Sequence, residues 1–158
     1  LDVSNLFRFA ISALVLPEKP TIRSVSSFLT EFINHSRDIE SMVKVVNTDG
    51  ESLVGQLLGL IGGTFDSPRN VVEHTADVLM ALNQKYFDNF CRWMNLYIQK
   101  DGFPTAKISR EQKEHFVRLI LKERKNKRKL KDIVNELGLT CRGLIGTDYG
   151  NQSIKLPF

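Results

Sequence analysis

Cysteine is scarce. The 158 residues hold two, Cys91 and Cys141, too few for a disulfide framework or a cysteine-rich zinc module and in keeping with a reducing compartment. Long apolar runs are missing as well: the stretch from Leu53 to Gly63 is about half the length a bilayer needs and contains Gln56 and four glycines. Ten glycines and five prolines are too few for a collagenous or disordered chain. Neither sign of charge dominates, because 22 basic against 18 acidic residues leave only +4, which permits a nucleic-acid partner without demanding one. Strand signals are weak: Asp49-Gly50 is followed by a helical pattern, not by a second β-rich run. The chain opens at Leu1 with no signal peptide, so the expectation is an internal or C-terminal piece of a longer protein.

What is present is helical periodicity along most of the length. Leu6, Phe7, Phe9, Ala10, Ala13, Leu14 and Leu16 predict a helix buried on most sides, stopped by Pro17. Pro20 sits where a first-turn proline is tolerated, and Ile22, Val25, Phe28, Leu29, Phe32 and Ile33 stripe the helix that follows. A short segment, Ile39 to Val46, comes next. Thr48 and Glu51 then read as a capping box opening a helix over Leu53 to Ile61, with Gly62-Gly63 as its stop. Ser67-Pro68 opens a helix striped by Val71, Val72, Thr75, Val78, Leu79 and Leu82, and Tyr86 to Ile98 forms an aromatic one. Ser109 and Gln112 suggest a second capping box before Phe116, Val117, Ile120 and Leu121. A last helix carries Leu130, Ile133, Val134 and Leu137, with Gly138 as its stop.

The pair Phe28-Leu29 recurs as Val78-Leu79 and as Phe116-Val117, at offsets of 50 and 38 residues. Those offsets bracket the period of HEAT or armadillo helix pairs, about 40–47 residues. The expected fold is all-α: an α-solenoid of about three HEAT-like antiparallel helix pairs plus a closing helix over residues 1–139, and an irregular tail over 140–158. A compact six- or seven-helix bundle is the alternative. In the solenoid the second helices of the pairs, Pro20–His35, Pro68–Asn83 and Ser109–Arg124, line the binding face.

No motif supports catalysis, and no cofactor or metal is implied. Gly55, Gly59, Gly62 and Gly63 lack the Lys-Ser or Lys-Thr of a phosphate loop, and their spacing suits close helix packing. His35, His74 and His115 recur at 39 and 41 residues, close to the repeat period, so a solenoid keeps them apart instead of gathering them on a metal. No serine lies in a Gly-x-Ser-x-Gly elbow. Interaction surfaces are the remaining candidates. Lys122 to Lys131 holds seven basic residues, Lys122, Arg124, Lys125, Lys127, Arg128, Lys129 and Lys131, against Glu123 alone. Three readings stay open: a nucleic-acid or localisation patch, a contact for an acidic protein, or a solvated helix end. No aromatic side chains interleave with the run, which gives single-strand stacking no support. Opposite the apolar stripes lie Arg23, Ser27, Glu31 and Asn34, then Glu73, Asp77 and Gln84, then Glu111 and Glu114. Glu73 and Asp77 are one turn apart, an arrangement suited to a basic partner.

Three stretches carry a family resemblance: Ser109 to Lys113, Asn126 to Asp132, and above all Cys141-Arg142-Gly143-Leu144-Ile145-Gly146-Thr147-Asp148-Tyr149. They resemble the C-terminal end of a receptor of the karyopherin-β (importin-β) family. That resemblance implies a HEAT-repeat nuclear transport receptor shuttling between cytoplasm and nucleus. It also implies folded protein cargo, nucleoporins and GTP-bound Ran as partners, with the principal Ran site in N-terminal repeats that this chain lacks. Neither a membrane nor nucleic acid is an expected partner.

Overall fold

The computed structural model describes residues 2–16, 19–64 and 74–145. Regular structure among them is helical throughout: α1 (Val3–Ala13), α2 (Lys19–Ser36), α3 (Glu40–Gly62), α4 (Thr75–Lys85), α5 (Phe87–Ile98), α6 (Arg110–Lys122) and α7 (Lys127–Arg142). They pack as two layers of an α-solenoid. One layer runs α1, α3, α5; the other runs α2, α4, α7; and α6 lies against α5 and α7 at the end of the stack.

The third pair departs from the expected arrangement, since α7 and not α6 stands beside α4. Apolar width decides this. Helix α6 buries a narrow stripe of Phe116, Val117 and Ile120 with Lys113. Helix α7 buries Leu130, Ile133, Val134, Leu137, Leu139 and Cys141, a face broad enough to meet α3 and α4 together. Burying such a side chain stabilises the fold by roughly 1.5–3 kcal/mol, so the broader helix takes the interior position.

Local structure also redraws two predicted boundaries. Residues 40–62 form one helix, not a short segment followed by a capped start. Thr48 turns its hydroxyl back to the Lys44 carbonyl at 2.8 Å, and Gly50 is buried in mid-helix, where a Cβ would stand 2.1 Å from Cη2 of Trp93. Glycine there admits the indole of α5 and does not begin a turn. The second boundary is Gly138, which lies inside α7 against the Ile61 carbonyl. The stop is Gly143, left-handed at φ 70°, so the helix continues past the expected tail start at residue 140. The predicted stop at Gly63 is correct, with φ 86° and its N–H on the Gly59 carbonyl, as is the capping box of α6, in which Ser109 and Gln112 exchange backbone bonds of 3.1 and 2.8 Å. The expected start at Ser67-Pro68, with Val71 and Val72, and the tail beyond residue 145 lie outside the described residues.

Helix α1 is shorter and less covered than its pattern implies. Asp2 caps it, and Phe7, Ala10, Ile11 and Leu14 are buried, whereas Phe9 is 73% exposed and Leu6 and Leu16 are also exposed.

Candidate functional site

A groove of about 450 Å³ runs between α2 and α4 and ends on the first residue of α7. Its walls follow from helix geometry. Positions 23, 26, 27, 30, 31 and 34 recur at three- and four-residue steps, so Arg23, Ser26, Ser27, Thr30, Glu31 and Asn34 share one face of α2. Small side chains at 26, 27 and 30 leave the space that larger ones would fill, and Thr30 returns its hydroxyl to the Ser26 carbonyl at 2.8 Å. The α4 wall is His74, Asp77, Met80, Ala81 and Gln84.

The α6–α7 turn closes one end. Lys127 reaches Asp77 with Nζ 2.7 Å from Oδ1, and the Gln84 amide donates to the Arg124 carbonyl. Buried Asn83 donates from Nδ2 to the carbonyls of Ile120 and Leu121 at 3.1 and 3.2 Å, tying the last turn of α6 to α4. Asn126 caps α7 by accepting from the Lys129 N–H at 3.1 Å.

Arg23, Ser27, Glu31 and Asp77, all expected on a binding face, share this groove, and Lys127 from the basic run joins them. Glu73 lies outside the described residues. Asp77 already has the Lys127 ammonium beside it, and Glu31 stands 3.1 Å from the His35 imidazole. Glu111 and Glu114 lie elsewhere: with α6 displaced from the α4 side, Glu114 joins Arg110 and Arg118 in a separate groove between α5 and α6. Members of the basic run have divided duties. Lys129 pairs with Glu123 at 3.7 Å, the Arg124 guanidinium lies 4.6 Å from the ring centre of Phe87, Lys131 is half-buried, and Lys122, Lys125 and Arg128 are exposed. The wall residues Ser26, Thr30 and Met80 escaped the sequence reading, although their spacing from Arg23 and Asp77 was the signal.

No group of three or more His, Cys, Asp or Glu side chains is placed to hold a metal among the described residues, and none of the described helices is long and apolar enough to cross a membrane. Burial pushes the Cys141 thiol from 9.0 up to about 11, which keeps it protonated and inert at neutral pH. Burial also raises Cys91 and Tyr97 and lowers Lys113. Lys113 donates to the carbonyls of Lys100 and Phe103 at 3.0 and 3.1 Å, holding the segment between α5 and α6 in place.

A profile of the importin 13 repeat matches residues 14–90. Importin-13 of Mus musculus is 44% identical over 149 residues, 94% of this chain and 15% of that protein. Human importin-13 is 43% identical over the same span, and the importin beta-like protein kap111 of Schizosaccharomyces pombe is 27% identical over 91% of the chain and 14% of its own length. The chain thus spans about 15% of the importin-13 relatives it matches. Among solved structures, importin-13 in its cytosolic state superposes with a TM-score of 0.84 at 33% identity, covering 91% of this chain and 16% of that one.

Proposed function

The chain belongs to the importin-13 family, and from that premise we propose that it is a HEAT-repeat section of a nuclear transport receptor. The receptor binds folded protein cargo and carries it through nuclear pores under the control of GTP-bound Ran. Its partners in this reading are cargo, nucleoporins and Ran, with Ran bound mainly by repeats outside this chain, and it shuttles between cytoplasm and nucleus. The α2/α4 groove carries the reading for this section. Arg23, Ser27, Glu31 and Asp77 line one cavity between successive second helices, the surface on which a solenoid wraps a partner. The work is recognition, not catalysis. A nucleic-acid role for Lys122–Lys131 has weaker support, since three of its cations are engaged internally: Lys127 on Asp77, Lys129 on Glu123 and Arg124 on Phe87.

A pull-down with the full-length receptor tests the reading, with and without GTP-loaded Ran. Ser27→Trp fills the groove from an exposed position and leaves the helices folded by circular dichroism. The expected outcome is loss of part of the Ran-sensitive protein set held by the unmodified receptor. An unchanged set would move the contact away from this groove. Salt-sensitive capture of RNA in place of proteins would favour the nucleic-acid role.

A further inference from the structure

We infer that the turn joining α6 to α7 is a docking surface for a short acidic segment of a protein partner. The inference rests on the receptor reading for the partner being a protein, but it concerns a different surface from the α2/α4 groove. Seven cations stand between Lys122 and Lys131. Among the described residues two carboxylates pair with them: Asp77 with Lys127 at 2.7 Å and Glu123 with Lys129 at 3.7 Å. Arg124 lies over the Phe87 ring. Lys122, Lys125 and Arg128 are exposed and form no ion pair among the described residues. The fold adds a further cation to the run. Gln84 and Phe87 both touch Arg124, which sets exposed Lys85, at the end of α4, beside the same turn.

Cations gathered at the end of a helix are ordinary, because they suit its negative pole. That accounts for Lys122 in the last turn of α6, and for Arg124 and Lys125 just beyond it. It does not account for Lys127, Arg128 and Lys129, which open α7 with no acid in its first turn. There the positive pole of the helix and the cations oppose each other. An anionic partner relieves that opposition, and the excess of positive charge favours it over a neutral or basic one. The extent of the surface favours a peptide over a nucleic acid. Exposed carboxylates flank it: Asp88 follows Phe87, and Asp132 stands one turn along α7 from Arg128. A phosphate backbone carries its charge continuously and runs on from the turn to those acids, whereas a short acidic segment ends where the cations end. The face that Phe87 offers to the turn is taken by Arg124, so no base can stack there.

Fluorescence anisotropy on the full-length receptor tests the inference with three labelled probes: an oligo-glutamate peptide, its oligo-glutamine counterpart, and a single-stranded RNA of the same length. The glutamate peptide is expected to bind, and to weaken as salt rises through the range where the screening length falls below about 10 Å. Lys125→Gln with Arg128→Gln should weaken it by about tenfold. Lys44→Gln with Arg110→Gln, an equal charge change on α3 and at the far end of α6, should leave it unchanged. A thermal melt supplies a second readout. Removing the Lys125 and Arg128 charges should not lower Tm, since neither cation has an ion pair to lose and Arg128 opposes the pole of α7. A lowered Tm would make the two cations structural and overturn the inference. Equal binding of the glutamine peptide, tighter binding of RNA, or insensitivity to the double variant would each overturn it as well. The Ran pull-down separates the two levels. A Ran-sensitive protein set held by the unmodified receptor, alongside failed glutamate binding, removes the acidic-partner inference alone. Absence of any such set removes the receptor reading and, with it, this inference.

Discussion

Trp93 illustrates how one side chain sets constraints on another element. It is 3% exposed and lies on Gly50 of α3, so Trp93→Ala should cost about 3–5 kcal/mol in chemical denaturation. Phe28, which the stripe places beside it in importance, is only half-buried, and its truncation should cost clearly less. Gly50→Ala should destabilise the wild type through a clash with the indole but cost much less in the Trp93→Ala background, a coupling that a double-mutant cycle reads directly. Cys141 makes a pH-dependent prediction. The folded chain keeps its thiol protonated up to about 11, whereas the unfolded thiol ionises near its ordinary value. Between those limits the folded state binds more protons, so stability falls as pH rises through the window and the contribution is fully present below it. The loss should approach about 2–3 kcal/mol. Cys141→Ala should show a flatter decline than wild type across the same range. Parallel declines would mean that other groups set the alkaline limit.

At the scale of elements, two capping patterns that read alike in sequence behave differently. Ser109→Ala should destabilise by about 0.5–2 kcal/mol, because it removes an acceptor for the Gln112 N–H. Thr48→Ala should change stability far less, because Thr48 lies on the exposed side of a continuous α3 and bonds only the preceding turn. Comparable losses at the two sites would mean that α3 is broken near residue 48 in solution. The Asp77–Lys127 contact joins α4 to α7, but Lys127 is 54% exposed, so it adds at most a small increment to stability. Its consequence lies in the groove, where it sets a cation beside Asp77.

For the whole molecule, stability is distributed as in any array whose units meet only their neighbours. Helix α3 touches α1, α2, α4, α5 and α7, while α1 touches α2 and α3. Amide hydrogen exchange should therefore be slowest in α3 and fastest, among the described helices, in α1. Phe9→Asp should leave stability within about 0.5 kcal/mol, since that ring is 73% exposed, whereas Phe7→Asp, at 0% exposure, should unfold the first pair. An exchange pattern with α1 as protected as α3 would contradict this ranking.

Periodicity alone determined that the chain is helical, that most helices bury the stripes at three- and four-residue spacing, and that Arg23, Ser27, Glu31 and Asp77 fall on faces turned from the core. These are local properties, written in which residues recur each turn. The stretch Cys141 to Tyr149 carried the family for the same reason: identity at consecutive positions needs no coordinates. Tertiary structure decided which helix became the neighbour of α4, because the relative apolar widths of α6 and α7 matter only when both compete for one place. It decided that Gly50 and Gly138 are contact points and not stops, since a glycine's role depends on what approaches it, here Trp93 and Ile61. It also decided what stands beside Asp77. Sequence spacing set Asp77 on a binding face as an acid, but the cation that neutralises it arrives from Lys127, 50 positions along the chain. A charge is local, whereas its compensation is a matter of distance in space.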